Sequence, residues 1–347
     1  MILILPETTL LQSGVVFALC AAMVWVSGAR LAYLADALAD RLKLAKSLVG
    51  LLLLSLATSL PEVATTLTAA VQQARDLVLN NLFGGIALQT AILAMSDFWA
   101  RGAITNYPRS ANHALEATLL VLLLSITLIA TQLGEPIAFF HIGYGSILIA
   151  AVYSGAIWLL RRYDAANDWV PVDLPDPEHI PFPAPTGIAT TSTIRLFGQS
   201  ALACALILIF GILLVLFADR IADQSGLGTS FVGVTLLAAA TSLPELTTSI
   251  TAVRIGSYTM AISNIFGSNL IMLVLVFPAD LLFRSGPVLR DVSDIVGLSL
   301  AFAIAVTSVF LIGLIVRRKP RLGSFGIDSI VVLILFAASM VVYYLAR

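Results

Sequence analysis

The sequence predicts an all-α integral membrane protein with ten transmembrane helices arranged as two inverted five-helix repeats. Three observations carry that prediction. The 347 residues are 59% apolar and 11% charged, where a soluble domain carries about 25% charged residues. Apolar runs of about 20 residues, enough to cross the roughly 30 Å of a bilayer's hydrocarbon, recur along the whole chain. One stretch is also written twice. Thr58-Ser59-Leu60-Pro61-Glu62, continuing to Asn81-Leu82-Phe83-Gly84-Gly85, returns as Thr241-Ser242-Leu243-Pro244-Glu245, continuing to Asn264-Ile265-Phe266-Gly267-Ser268. The copies align without a gap, Asp36–Gln89 onto Asp219–Met272, with about 20 of 54 pairs identical, which marks an internal repeat. Two unrelated apolar helices would match in Leu and Ala, not in this pentapeptide, an Asn and a Phe-Gly together.

The elements follow in order. Span 1 covers 12–37 and ends in Asp36, Asp40 and Arg41. Span 2, 47–71, holds the first Thr-Ser-Leu-Pro-Glu, and span 3, 77–99, the first Phe-Gly. Spans 4 and 5 cover 113–132 and 138–160. Span 6, 196–218, ends in Asp219 and Asp223 as span 1 ends in Asp36 and Asp40. Spans 7 and 8, 229–253 and 258–283, carry the second copy, and spans 9 and 10 cover 293–316 and 326–346. Between the halves lies a polar stretch with Pro171, Pro175, Pro177, Pro181, Pro183 and Pro185 among Asp164, Asp168, Asp173, Asp176 and Glu178. That composition predicts an extended, solvated connector. The chain thus divides into a first half 1–162, a connector 163–192 and a second half 193–347.

Five spans per half is an odd number, so the second half enters the membrane from the opposite side. That is the pattern of an inverted repeat about an axis in the membrane plane. The basic residues agree. Arg41, Lys43, Lys46, Arg101, Arg109, Arg161, Arg162, Arg254, Arg317, Arg318 and Lys319 fall on one side, and few fall on the other. The positive-inside rule makes the rich side cytoplasmic, with the connector there and both termini outside. Glu7, rather than a basic region, precedes the first apolar run, so no cleavable signal peptide is expected. Cys20 and Cys204 sit inside apolar runs and read as small buried side chains. His113, His141 and His179 lie near span ends or in the connector, and read as surface or interfacial residues.

Several function classes drop out. A net charge of −1 gives no footprint for nucleic acid. The sequence has no G-x-x-x-x-G-K-[ST] phosphate loop. It also lacks H-E-x-x-H and G-x-S-x-G, which argues against an intramembrane enzyme. No cofactor is expected, and the partners are the lipid bilayer and transported cations. A channel or a non-transporting membrane sensor is the other class to weigh. A midplane site in an inverted repeat favours alternating access over a continuous pore.

Glu62 and Glu245 carry the chemistry. A carboxylate in mid-span costs about 3 kcal/mol or more and marks a functional site by default. At equivalent positions of an inverted repeat the two would meet near the midplane, where a cation between them relieves their repulsion. Thr58 and Thr241 each lie one helical turn from their Glu and share its face. Pro61 and Pro244 lack an N–H, so the carbonyls of Ala57 and Ala240 lose their helical donor. Carboxylates, hydroxyls and freed carbonyls are hard oxygen ligands of the kind Ca²⁺ takes. Gly84-Gly85 and Gly267 would let the facing helix break or approach closely. Asn81 and Asn264 read either as ligands or as caps of such a broken helix. Asp97 and Asp280, also repeat-equivalent, read as interfacial anchors.

The doubled Thr-Ser-Leu-Pro-Glu with its following Asn and Phe-Gly, Phe-Gly-Ser in the second copy, resembles the α-repeats of the Ca²⁺:cation antiporters, the sodium/calcium exchanger superfamily. The resemblance covers nearly the whole chain. It implies exchange of a cation, foremost Ca²⁺, against Na⁺ or H⁺, with K⁺ or Mn²⁺ as other cargo. The central ions would be lined by Thr58, Ser59, Glu62, Thr241, Ser242, Glu245 and Ser268, and spans 1 and 6 would form a long gating pair that slides across the core. The chain departs from the family pattern on the partner helices. Gly85 stands where the family has Ser, and Gln89 and Met272 stand where it has Asn or Asp. Met offers only a soft sulfur to Na⁺ or Ca²⁺.

Overall fold

The computed structural model describes residues 8–100, 102–108, 111–166, 188, 191–225, 239–316, 321–322 and 325–345. Among these, eight helices are long and apolar enough to cross a membrane, and a bent helix pair adds a ninth crossing. The expected connector falls mostly outside the described residues, as do the start of span 7 and His179.

Helix α1 (Leu10–Leu42) begins with a reciprocal cap. The Thr9 hydroxyl accepts from Gln12 N at 3.3 Å, and Gln12 Oε1 accepts from Thr9 N at 2.9 Å. Lys43, left-handed with φ 54°, ends it. The second span is broken. Helix α2 (Lys46–Thr58) meets α3 (Leu60–Val71) at a 50° bend. Pro61 falls in the first turn of α3, where a missing N–H is tolerated, and Ser59 between them leaves helical geometry at ψ 1°. Helix α4 (Arg75–Met95) continues into a short 3₁₀ turn at Ser96–Trp99. Helices α5 (Asn112–Gln132) and α6 (Tyr144–Ala166) complete the first half.

The second half repeats these bounds 183 positions later. Helix α7 (Thr193–Gln224) matches α1, and α8 (Leu243–Arg254) matches α3 residue for residue. At Ser242 the backbone leaves the helix as it does at Ser59, with ψ 3°. Helices α9 (Tyr258–Val274) and α10 (Val276–Leu282) match α4 and its terminal turn. Helices α11 (Asp294–Ile315) and α12 (Ile327–Leu345) match α5 and α6.

Span 5 begins at Tyr144 rather than at 138, because the residues before it pair as strands. Strands β1 (Ile137–Phe139) and β2 (Ile142–Gly143) form an antiparallel hairpin. Strands β3 (Arg321–Leu322) and β4 (Phe325–Gly326) form its counterpart ahead of α12. These two small hairpins are the departures from an all-α chain among the described residues. At the other end of α6, helix continues through Ala166, into the expected connector.

The spans containing α4 and α9 are 72% and 67% buried, against 22% for those of α1 and α6, so α4 and α9 form the centre. Long α1 and α7 pack together along its flank. Two glycines fix how they sit. A Cβ on Gly28 of α1 would collide with the Thr247 side chain of α8, and one on Gly211 of α7 would stand 2.6 Å from Pro61 of α3. The two glycines are repeat-equivalent, so each flank helix rests on the bent helix of the other half.

Several expectations change. Asp97 and Asp280, read as interfacial anchors, are fully buried among protein groups. Asp97 accepts from Ile104 N at 2.8 Å and from Gly326 N at 2.9 Å. Asp280 accepts from Val288 N at 2.6 Å, Gly143 N at 2.8 Å and the Ser146 hydroxyl at 2.5 Å. Each Asp therefore holds the hairpin of the opposite half. Backbone N–H groups buried in a membrane need such acceptors. His113 is buried too, its Nδ1 3.0 Å from Glu116 and 3.1 Å from the Ser263 hydroxyl. His141 is half-buried, with Nε2 3.1 Å from Leu281 O. Asp36, at the end of span 1, pairs with Lys46 at 2.6 Å and with the Ser257 hydroxyl.

Candidate functional site

The bends bring the two copies of the motif together. At the break between α2 and α3, the Ser59 hydroxyl lies 2.6 Å from that of Ser268 on α9. Ser268 donates to Glu245 Oε1 on α8 at 3.2 Å, and Ser59 reaches the same oxygen at 3.5 Å. The Thr58 hydroxyl also reaches that carboxylate, while donating to Ser55 O at 3.2 Å. Four expected residues from both halves, Thr58, Ser59, Glu245 and Ser268, thus converge. All four are buried.

Glu62 lies within electrostatic reach of Glu245. It is fully buried, and neither of its carboxylate oxygens has a hydrogen-bond partner on another described residue. Glu245 Oε2, the Ser242 hydroxyl and both amide atoms of Gln89 are in the same condition. Burying an unpaired polar atom costs about 1–3 kcal/mol, more for a charge. Glu62 and Glu245 are repeat-equivalent, and carboxylate, hydroxyl and amide oxygens left in this way are hard donors of the kind a cation takes. Thr241 is buried beside Ser242, and Ala57 and Ala240 are buried at the bends, where proline removes their helical donors.

Asn81 and Asn264 do not cap a broken helix, because α4 and α9 run unbroken through them. Each ties its helix to the bent one. Asn81 Nδ2 donates to the Thr66 hydroxyl at 2.9 Å, and Asn264 Nδ2 to that of Thr248 at 3.1 Å. Asn264 Oδ1 stays without a partner. The glycines serve close approach rather than breakage. A Cβ on Gly267 would stand 2.6 Å from Leu51 O, and one on Gly50 2.6 Å from Met260 O, so α2 and α9 touch backbone to backbone. The π-helical turn at Gly50–Leu54 falls at this contact.

Asn269 is a residue that the motif reading passed over. It is fully buried, donates to the Thr90 hydroxyl of α4 at 3.3 Å, and leaves Oδ1 unpartnered. Extending the second motif by one residue past Ser268 would have found it. Gly28 and Gly211 were likewise legible, since they too match at the repeat spacing, upstream of the aligned stretch.

A bundle of membrane-length helices, bent at Ser59 and leaving helical geometry again at the equivalent Ser242, around a buried set of carboxylates and hydroxyls, has the architecture of a membrane transport protein. A family model described as sodium/calcium exchanger protein matches residues 12–160 and 195–345. The chain belongs to that family, within the Ca²⁺:cation antiporter superfamily. CaxA, a proposed antiporter of Alkalimonas amylolytica, is 27% identical over 271 residues, 76% of this chain and 78% of that one. The inner membrane protein YrbG of Escherichia coli (strain K12) is 24% identical over 306 residues, 87% and 88% of the two chains. The solved structure of the sodium-calcium exchanger NCX_Mj, soaked with Na⁺ and Sr²⁺, superposes with a TM-score of 0.69 at 16% identity, covering 96% of this chain and 99% of that one. At that identity the likeness speaks for the fold.

Proposed function

We propose that the protein is a secondary antiporter. It exchanges a cation, foremost Ca²⁺, against Na⁺ or H⁺ by alternating access at one central site. In this reading ten helices form two inverted repeats of five, the connector 163–192 is cytoplasmic, and both termini lie outside. The single observation that carries it is the meeting of the two motif copies: Ser59 of one repeat joined to Ser268 and Glu245 of the other, with Glu62 buried and unpartnered nearby. Thr58, Ser59, Glu245 and Ser268 hold the cation on one side, with Glu62, Thr241, Ser242 and Gln89 completing the shell. The carbonyls of Ala57 and Ala240 add neutral oxygens. Asn81 and Asn264 set the spacing between helices, and α1 with α7 slides across the bends. An ion held between two carboxylates at the midplane, with each half able to open to one side, is the arrangement alternating access requires.

The test is Ca²⁺ uptake into proteoliposomes, driven first by an outward Na⁺ gradient and then by an outward proton gradient. Glu62→Gln and Glu245→Gln each remove a ligand charge at nearly constant volume, so each is expected to abolish uptake while the protein still folds. Near-normal uptake by either variant would sink the site. Uptake driven by Na⁺ alone, or by protons alone, identifies the coupling ion. If neither gradient drives Ca²⁺, the same assay with K⁺ and Mn²⁺ decides the cargo.

A further inference from the structure

The central site is lopsided. On one side Ser268 donates to Glu245 and its oxygen meets the Ser59 hydroxyl. The repeat-equivalent position on the other side is Gly85, and the space that a side chain there would fill is taken. A Cβ on Gly85 would stand 2.8 Å from Met272 Cε and 3.2 Å from its Sδ. Met272 is fully buried. It sits one turn from Ser268 on α9, as Gln89 sits one turn from Gly85 on α4, so these four residues share the facing sides of the crossing. The Asn269–Thr90 hydrogen bond fixes that crossing one step further along. Two of the three departures from the family pattern, at 85 and at 272, are therefore one feature: a side chain at 85 and the Met272 thioether would claim the same space.

We propose that Met272, seated against Gly85, is a specificity-determining plug that closes one half of the chamber, so that the protein holds a single metal cation at a time. That cation sits on Thr58, Ser59, Glu245 and Ser268. A methyl thioether offers no hard oxygen and excludes water from the volume it fills, so a second Na⁺ or Ca²⁺ has neither ligands nor room there. Gln89, one turn from Gly85 on α4, keeps an unpartnered amide, the polar group that this side still offers to the one cation. This inference rests on the antiporter reading and deepens it, because the number of cations held sets the stoichiometry of exchange.

The experiment is equilibrium binding of radioactive Ca²⁺ to the purified protein, with Na⁺ as competitor. The wild type is expected to bind one Ca²⁺ per chain. Na⁺ is expected to displace it with a Hill coefficient of about one, or not at all, as a single cation position requires. A coefficient of two or more overturns the plug. The double variant Gly85→Ser/Met272→Asp restores a hydroxyl and a carboxylate together. It is expected to bind Ca²⁺ about tenfold more tightly, since ligand charge tunes affinity, and to raise the Na⁺ coefficient above one. A double variant that behaves as wild type also overturns the proposal. So does a gain from Gly85→Ser alone, whose new hydroxyl meets the thioether. Should the double variant fail to fold, Gly85→Ser/Met272→Ser tests the same direction without a buried charge. Glu245→Gln separates the two levels of failure. If it binds Ca²⁺ like wild type, the site itself is wrong. If it is dead while the wild-type coefficient exceeds one, only the plug falls. A wild type that binds no Ca²⁺ leaves the double variant to decide: gain of binding upholds the plug, and none overturns it.

Discussion

At the scale of single residues, the site works by shared oxygens. Ser268 bonds at once to Ser59 and Glu245, so it both orients the carboxylate and fixes the distance between the halves. Ser268→Ala removes two hydrogen bonds of about 1 kcal/mol each and is expected to raise the half-saturating cation concentration about tenfold, measured by initial uptake rates. Ser59→Ala is expected to do the same. Because the two hydroxyls bond each other, the double variant is expected to cost clearly less than the product of the singles. Full additivity would show that they act apart. Much of this was legible in the sequence. A carboxylate in an apolar run is costly enough to announce itself, and its repetition named Glu62 and Glu245. The full burial of Asp97, Asp280 and His113 was not legible, for the opposite reason. Part of what makes it tolerable lies more than a hundred positions away and leaves no pattern in the local sequence: Gly326 N for Asp97, Gly143 N and Ser146 for Asp280, and Ser263 for His113.

At the scale of elements, the bends and the staples divide the work. The proline bends expose oxygens to the centre, while Asp97 and Asp280 hold the hairpins that aim α12 and α6 back into the bundle. Asp280→Ala would strand Gly143 N and Val288 N in a buried setting and leave the Ser146 hydroxyl with Gly143 O alone. The expected loss is about 3–5 kcal/mol, read as a fall in Tm of the detergent-solubilised protein. Asp280→Asn keeps one carbonyl acceptor and is expected to lose less. An Ala variant at least as stable as the Asn variant would show that the staple contributes nothing. Helix bounds were legible to within a few residues where polarity changes sharply, as at the ends of α4 and α11. The hairpins were not, because Ile137 to Gly143 is apolar enough to read as the start of a span.

At the scale of the whole molecule, the flank helix α1 packs on α8 of the other half and on α2 of its own. One of these contacts is polar and one-sided. Lys46 at the start of α2 bridges Asp36 at 2.6 Å and Asp40 at 3.5 Å, and Asp36 also takes the Ser257 hydroxyl at the α8–α9 turn. The repeat-equivalent of Lys46 is Thr229, which can form no such ion pair. The contact therefore favours one position of α1 over the other. The pair is part-exposed, so its worth is below about 1 kcal/mol, which corresponds to a population shift of about fivefold or less. Lys46→Met is expected to broaden the distance distribution between spin labels on α1 and α9. An unchanged distribution would show that the bridge does not hold α1.

The crossed staples also set an order of manufacture. Asp280 meets Gly143 and Ser146 that were synthesised well before it. Asp97 waits for Gly326, 229 residues downstream. Throughout most of translation the first half therefore sits in the bilayer with a carboxylate oxygen that has no lasting mate, and it closes only when the last hairpin emerges from the ribosome. A nascent chain halted before β4 is an unfinished object with a polar flaw at its heart. The membrane's proteases have a chemical reason to recognise it.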